Sequence, residues 1–327
     1  MRGNRWIRKL GIAAAIVVAA LLPHAVAAQA YPYKALRLII PFPPGGSNDV
    51  VGRMVAAQLS ARLGQPVVVE NQGGAGGLIG AEMAAKAAPD GYTLLLVSVA
   101  YAFNPAIYKL PYEPATAFAP VAMLGAGPVV IAVTSSLPVA SVKDLVALAK
   151  AKPGQLSYGS TGNGNMPNLA MESFKIAAGV NILHVPYKGA APAVIDLLGG
   201  HVQATILDLP VLLPHVQGGK MRALAIATAK RAAPLPTVPT MAEAGYPSVN
   251  ADNWYGIVVA AATPKDVVAK LHAALVTVLQ SADTKQRFAS QGANAVTSTP
   301  EELAAFMREE TIKWGKVIKT SGIKIDQ

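Results

Sequence analysis

The sequence predicts an α/β protein in two lobes, and three observations carry that prediction. From Leu36 onward short apolar runs alternate with helix-like ones, the pattern of a sheet covered by helices on both faces. The alternation resumes after Val129 as a second series. After Trp254 it gives way to one strand-like run and two amphipathic stretches that need a surface to cover. The 327 residues suffice for two domains, each with its own core.

The first thirty residues stand outside that fold. Arg2, Arg5, Arg8 and Lys9 make a positive start, Leu10 to Leu22 an apolar run, and AVAAQA (Ala25 to Ala30) offers small residues for cleavage. This is the composition of an export signal. The apolar run is shorter than the roughly 20 residues that span a bilayer. A cleaved signal peptide over 1–30 and a free soluble exported protein, starting near Ala28 or Tyr31, are therefore expected. The chain has no cysteine, which excludes disulfides, thiolate metal sites and a lipid-modified N-terminal cysteine, and suits an oxidising compartment.

The whole chain carries a formal charge of +10, and the signal holds four cations and no acid, so the remainder carries +6. Those cations are scattered and aromatic residues are few, which does not make a nucleic-acid groove with stacking platforms. No nucleic-acid partner is expected. A mild positive balance assists encounter with anionic small molecules.

The elements follow in order. LRLIIPF, DVVGRMVAAQLSARLG, QPVVVEN, GLIGAEMAAKAAPDG and YTLLLVSV read as βαβαβ, with short apolar strands of a parallel sheet. VVIAVTSS, SVKDLVALAKAKPG, LSYGS, NMPNLAMESFKIAAG, ILHVPY, APAVIDLLGG, VQATILD and MRALAIATAK continue it in a second lobe. WYGIVVAA is a last long strand. Two helices then begin at Thr263-Pro264 with Asp266 and at Thr299-Pro300 with Glu302, each spaced as an N-cap, a first-turn proline and a capping-box acid. Leu303, Phe306, Met307, Trp314, Val317 and Ile318 recur at helical spacing and are expected to cover the first lobe. The chain then crosses between lobes twice, near Val129 to Val133 and near Trp254 to Val258. That gives a discontinuous first domain, 31–130 plus 254–327, and a continuous second one, 131–253. A cleft between lobes is a usual place for a small-molecule site.

Several loops are candidates to hold an anion. In PFPPGGSNDV two prolines stiffen the strand exit and Gly45 and Gly46 leave backbone N–H groups open before a helix that Ser47, Asn48 or Asp49 can cap. An ordinary capped connection reads the same way. No Lys-Ser or Lys-Thr pair follows the glycines, so the nucleotide-cradling loop is excluded, and Asp49 repels a highly charged phosphate. ENQGGAGGLIG follows a strand, but Gly74, Gly76 and Gly80 have the wrong spacing for a dinucleotide fingerprint. YGSTGNGNMPNLAMESF sets Ser160, Thr161, Asn163 and Asn165 before another helix, and HVPYKGAAPAV adds Tyr187, Lys188 and open backbone from Gly189 to Ala191. Two such helix openings, one from each lobe, can grip a carboxylate from both sides.

Catalytic and metal chemistry find less support. Ser160, His184 and Asp208 can be strung into a triad, but Tyr-Gly-Ser-Thr-Gly is not the G-x-S-x-G elbow and Asp208 follows the histidine. The histidines lack an H-x-x-x-H pair or an acidic cluster. No enzyme, metal site or cofactor is expected.

YPYKALRLIIPFPPGGSNDVVGRMVA, GQPVVVENQGGAGGLIGAEMAAKAAPDGYTLL, NPAIYKLPYEPATAFAPVAML, HVPYKGAAPAVIDLLGGHVQA, GKMRALAIATAKRAAPLPTVPTMAEAGYP and NWYGIVVAAATP resemble, in order, the tripartite tricarboxylate transporter substrate-binding proteins, the Bug or TctC-like family. The resemblance covers essentially the whole mature chain. It implies a two-lobed type II periplasmic binding protein, a Venus flytrap with two strand crossovers. Such a protein acts as a monomer that delivers a carboxylate to one large and one small membrane subunit. Di- and tricarboxylates, acidic amino acids and aromatic acids are the implied ligands. By position, the resemblance places the carboxylate grip on Phe42 to Asp49, with Gly46, Ser47 and Asp49 as contacts, opposed by Ser160 and Thr161. Asn165 and Asn168 stand where the family often has Ser and His. Ser98, Tyr101, Asn104, Tyr187, Lys188, Gly189, Ala191 and Asp208 are the implied selectivity positions, and Asp208 disfavours a second carboxylate while favouring an amine, a hydroxyl or a bound water. Two other readings stand beside this one: an exported serine hydrolase, and a sensor-type protein that presents its ligand to a receptor kinase.

Overall fold

The computed structural model describes residues 30–321; the expected export signal, but for its last residue, lies outside them. The first βαβαβ series forms as β1 (Leu36–Ile40), α1 (Ser47–Leu63), β2 (Val67–Asn71), α2 (Leu78–Ala85) and β3 (Thr93–Ser98), followed by α3 (Val99–Ile107). β1 lies between β2 and β3 and is parallel to both. The near-continuous apolar run of β1 reflects burial on both faces, since Leu36, Leu38, Ile39 and Ile40 are all buried. Helix α1 ends on Gly64 in the left-handed conformation, whose N–H returns to the Ser60 carbonyl at 3.0 Å.

A single long strand, β4 (Phe118–Thr134), then runs through both halves of the sheet. Its first part pairs from Phe118 to Pro128 with β9 (Asp252–Ala260), and its second part from Val129 to Val133 with β7 (Ala204–Asp208). The first crossing therefore falls at Pro128–Val129, at the head of the expected stretch. The second series is α4 (Val142–Ala151), β5 (Ser157–Ser160), α5 (Met166–Ala178), β6 (Leu183–Pro186), α6 (Ala190–Leu198), β7, α7 (Leu209–Gln217) and β8 (Met221–Ile226). The return crossing is at Ala251–Asp252, just ahead of the expected Trp254–Val258: Ala251 N–H still bonds the Ala227 carbonyl at 2.6 Å, and from Asp252 the chain pairs with the first part of β4.

The sheet order is β2-β1-β3-β9-β4-β7-β5-β6, with β8 and β10 (Asn294–Ala295) also on β4. It is mixed rather than parallel throughout. β1, β2 and β3 run parallel, as do β5, β6 and β7, but β4 and β9 enter from the opposite half and pair antiparallel with their neighbours. Periodicity reports burial and not the direction from which a strand arrives, so local sequence left this difference unmarked.

The C-terminal helices are α8 (Lys265–Gln280), α9 (Ala282–Ser290) and α10 (Pro300–Ser321). The capping box of α10 is formed: Thr299 N–H donates to Glu302 Oε2 at 2.8 Å and Glu302 N–H to Thr299 Oγ1 at 3.1 Å. The box expected at α8 is not formed, because the buried Thr263 hydroxyl donates to the Ala260 carbonyl at 2.7 Å at the end of β9. Helix α10 packs on α3 and β4, with Leu303, Met307 and Trp314 buried and Val317 left exposed.

Candidate functional site

Five helices start at the wall of one cavity. Gly46, Ser98, Asn165, Gly189 and Asp208, the residues that precede α1, α3, α5, α6 and α7, all line a space of about 70 Å³. That is room for roughly five waters. Each first helical turn has N–H groups without an intrahelical partner, and each N-terminus carries a partial positive charge. At α1, α3, α6 and α7 no side chain caps the turn; Asn165 alone of the five does so, accepting the Asn168 N–H at 3.3 Å. Such a wall concentrates donors on an anion.

The PPGG loop owes its shape to Asp49. Gly45 has a φ of +83, the left-handed region that favours glycine. Its N–H donates to Asp49 Oδ2 at 3.1 Å, while Asp49 Oδ1 accepts from Arg53 and from Asn71 Nδ2, both at 2.9 Å. Burial acts to raise the Asp49 carboxyl, but the Arg53, Gly45 and Asn71 bonds outweigh it and hold it below the usual carboxylate range. Asn71 Nδ2 also donates to the Phe42 carbonyl at 3.1 Å. Asp49 thus points away from the cavity and ties down the loop that lines it.

Ser47, in the first turn of α1, reaches across to α7. Its hydroxyl donates to Asp208 Oδ2 at 2.7 Å and accepts from Asn253 Nδ2 at 3.3 Å, all three side chains being buried. Burial pushes the Asp208 carboxyl up to about 6, against the bond from the Ser47 hydroxyl and the nearby polar groups of Asn253 and of its own backbone, which favour its charge.

Eight of the named residues thus meet at the cavity: Phe42, Gly46, Ser47, Ser98, Thr161, Asn165, Gly189 and Asp208. The other seven do not line it. Asp49 is described above. Tyr101 donates to the Pro114 carbonyl at 2.5 Å, and Asn104 to the Gly76 carbonyl at 3.0 Å. Both border a smaller space of about 20 Å³ behind Phe42 and Ser98. Ser160 is fully buried, 2.6 Å from His184 Nε2 and accepting the Gly162 N–H at 3.1 Å, so it shapes its loop from behind. Tyr187 donates to Asp196 at 2.5 Å with its ring against Gly159. Lys188 is exposed, and Ala191 faces Gly45. Asn168, in place of the family's frequent histidine, accepts the Gly164 N–H at 3.0 Å and donates to Tyr158 OH at 2.9 Å.

The residues considered as a triad do not assemble. Ser160 and His184 are in contact, but the other ring nitrogen faces Asn168 Nδ2 at 3.4 Å and Asp208 is bonded to Ser47. Pro43, Asn48 and Ala190 fall within the loops the sequence pointed to, but sequence reasoning missed Val99, Ala100, Phe103, Met166, Pro167 and Asn253 in the wall. Most are direct neighbours of named residues. Asn253 is not, and its position follows from pairing with Gly127 on β4.

Residues 51–323 match the family model described as the tripartite tricarboxylate transporter family receptor. The chain belongs to that family. BugT of Bordetella pertussis is a receptor-family relative 39% identical over 324 residues, covering 97% of this chain and 98% of its own. The solved structure of the periplasmic binding protein BugD superposes with a TM-score of 0.86 at 35% identity, over 90% of this chain and 99% of that one. Rpa4515 of R. palustris, solved with adipate, gives 0.87 at 38% identity over 90% and 99%. This receptor-family chain therefore has the two-lobed periplasmic binding protein fold, and the family is one of solute-binding proteins. Among the described residues no helix is long and apolar enough to cross a membrane.

Proposed function

We propose that this receptor captures a carboxylate in the cavity where the five helices start and delivers it to the large and small membrane subunits of a tripartite tricarboxylate transporter. The convergence of those N-termini, four of them without a side-chain cap, is the observation that carries this reading. An anion there is held by several first turns at once. The adipate bound by the R. palustris relative is of the same chemical class. Its ligand is a di- or tricarboxylate, an aromatic acid or an acidic amino acid. Two lobes, joined by the strand crossings at Pro128–Val129 and Ala251–Asp252, close on it. Phe42, Gly46, Ser47, Ser98, Thr161, Asn165, Gly189 and Asp208 touch it, while Asp49, Tyr101, Asn104, Ser160, Tyr187, Lys188 and Ala191 stand behind them. The chain is exported by a cleaved signal and acts in the periplasm as a monomer without enzymatic turnover.

A thermal-shift screen of the purified protein against mono-, di- and tricarboxylates, acidic amino acids and aromatic acids tests this. An acid at 100-fold excess over its Kd adds about 2.7 kcal/mol of stability. Absence of a shift with every acid sinks the proposal, as does ester turnover that Ser160→Ala abolishes.

A further inference from the structure

The donors of the five helix starts explain how an anion is held, but the same wall also carries acceptors with nothing to accept from. Asn48, Asp208 and Asn253 each line the cavity and each has a buried Oδ1 without a hydrogen-bond partner. Asp208 is 9% exposed and Asn253 4%. The neighbouring donors are already committed. The Ser47 hydroxyl goes to Asp208 Oδ2, and Asn253 Nδ2 lies 3.3 Å from Ser47 Oγ and 3.5 Å from Tyr255 OH. Hydrogen bonds, and no neighbouring cation, are what favour the Asp208 charge. A buried acceptor left unpaired is destabilising, and most so when it belongs to a carboxylate.

An unsubstituted acid leaves this arrangement as it is and adds a second anionic group beside Asp208. A hydroxyl or an ammonium resolves it. We infer that the ligand carries, besides its carboxylate, an O–H or N–H donor that Asp208 Oδ1 accepts, so that the receptor selects hydroxy- or amino-substituted acids over their unsubstituted parents. This rests on the carboxylate reading and adds to it the group that confers selectivity. A site with a buried polar group waiting for a donor discriminates strongly against an analogue that lacks one.

Calorimetric titration with matched acids tests the inference: propionate, lactate and alanine; succinate, malate and aspartate; glutarate, 2-hydroxyglutarate and glutamate. The expected result is that within at least one set a substituted acid binds tenfold or more tighter than its parent, and that Asp208→Ala narrows this gap to under threefold. Asp208→Asn, which keeps an acceptor oxygen but removes the charge, separates the two donors and serves if the alanine variant fails to fold. Affinity for a hydroxy acid then persists, while affinity for an amino acid falls at least tenfold. Equal binding of parent and substituted acids, binding confined to acids without a donor, or a gap untouched in both Asp208 variants overturns this inference and leaves the carboxylate reading intact. No binding by these or any other acid overturns both.

Discussion

Two aspartates, one in the cavity wall and one behind it, are shifted in opposite directions, and their pH signatures separate them. The folded state keeps Asp208 protonated up to about 6, whereas an unfolded chain releases that proton near 3.9. The native state therefore binds more protons between those values, and its stability falls as pH rises through them. A shift of this size is on the order of 2–3 kcal/mol. Asp208→Asn should gain on the wild type as pH goes from 4 to 7, by roughly 4–12 °C in Tm at about 2–4 °C per kcal/mol. A Tm difference that does not change with pH contradicts this. Asp49 has the reverse sign: its carboxyl is held below the ordinary range, so its contribution is full at neutral pH and is lost as pH falls below the unfolded value. Asp49→Ala leaves the Gly45 N–H without its acceptor and Asn71 Nδ2 with only the Phe42 carbonyl, a loss of about 1–3 kcal/mol. Although Asp49 does not line the cavity, this variant should also bind the best acid of the screen at least tenfold more weakly. Unchanged affinity shows that the loop keeps its shape without it.

Among the elements, the helix starts were the most legible part of the site. Gly46, Asn165 and Gly189 each end a strand or loop with residues suited to an N-terminus, and all three reach the cavity; Ser98 and Asp208 were named as binding positions by resemblance alone, and the helices α3 and α7 that follow them were not foreseen. What spacing did not tell was direction. Tyr101 and Asn104 lie only a few residues into α3, yet their side chains turn toward Pro114 and Gly76, because each helical position rotates about 100° from the last. Asn253 was invisible for a different reason: its neighbours Ser47 and Asp208 are 206 and 45 positions away in the chain, and register along β4 brings them together. Strand direction was lost in the same way. The two proline-threonine starts were identical in pattern, but only Thr299 caps its helix, since Thr263 is taken by β9. At α5 the cap itself can be weighed. Asn165→Ala should lower stability by about 1 kcal/mol in urea unfolding, and Asn165→Ser should restore most of it. If serine does no better than alanine, the Asn165 bond to Asn168 contributes nothing.

At the scale of the whole molecule, the two series of elements are joined by the strand crossings at Pro128–Val129 and Ala251–Asp252, and the loops beside the cavity meet directly. A Cβ on Gly189 would lie 3.2 Å from Pro43 Cβ, and one on Gly45 would lie 3.5 Å from Ala191 Cβ. In the described state these loops are therefore in contact along this edge, and parting of the PPGG loop from the start of α6 would widen the way into the cavity. Hinge motion about two crossing segments is the movement such a fold permits. The second pair of positions offers a test, because about 3.5–4.5 Å between Cβ atoms is the range a disulfide requires. The chain has no cysteine of its own to interfere. Gly45→Cys with Ala191→Cys places a side chain at a φ of +83, a strain of about 1–3 kcal/mol that the reduced double variant must carry and that its own Tm reveals. Loaded with the best acid of the screen and then oxidised, the variant should release it at least tenfold more slowly than when reduced; oxidised while empty, it should take up none on the same timescale. Reduction should restore both rates. Equal exchange in the two redox states means that ligand enters without separation of these loops, and failure of the disulfide to form means that they do not lie together in solution.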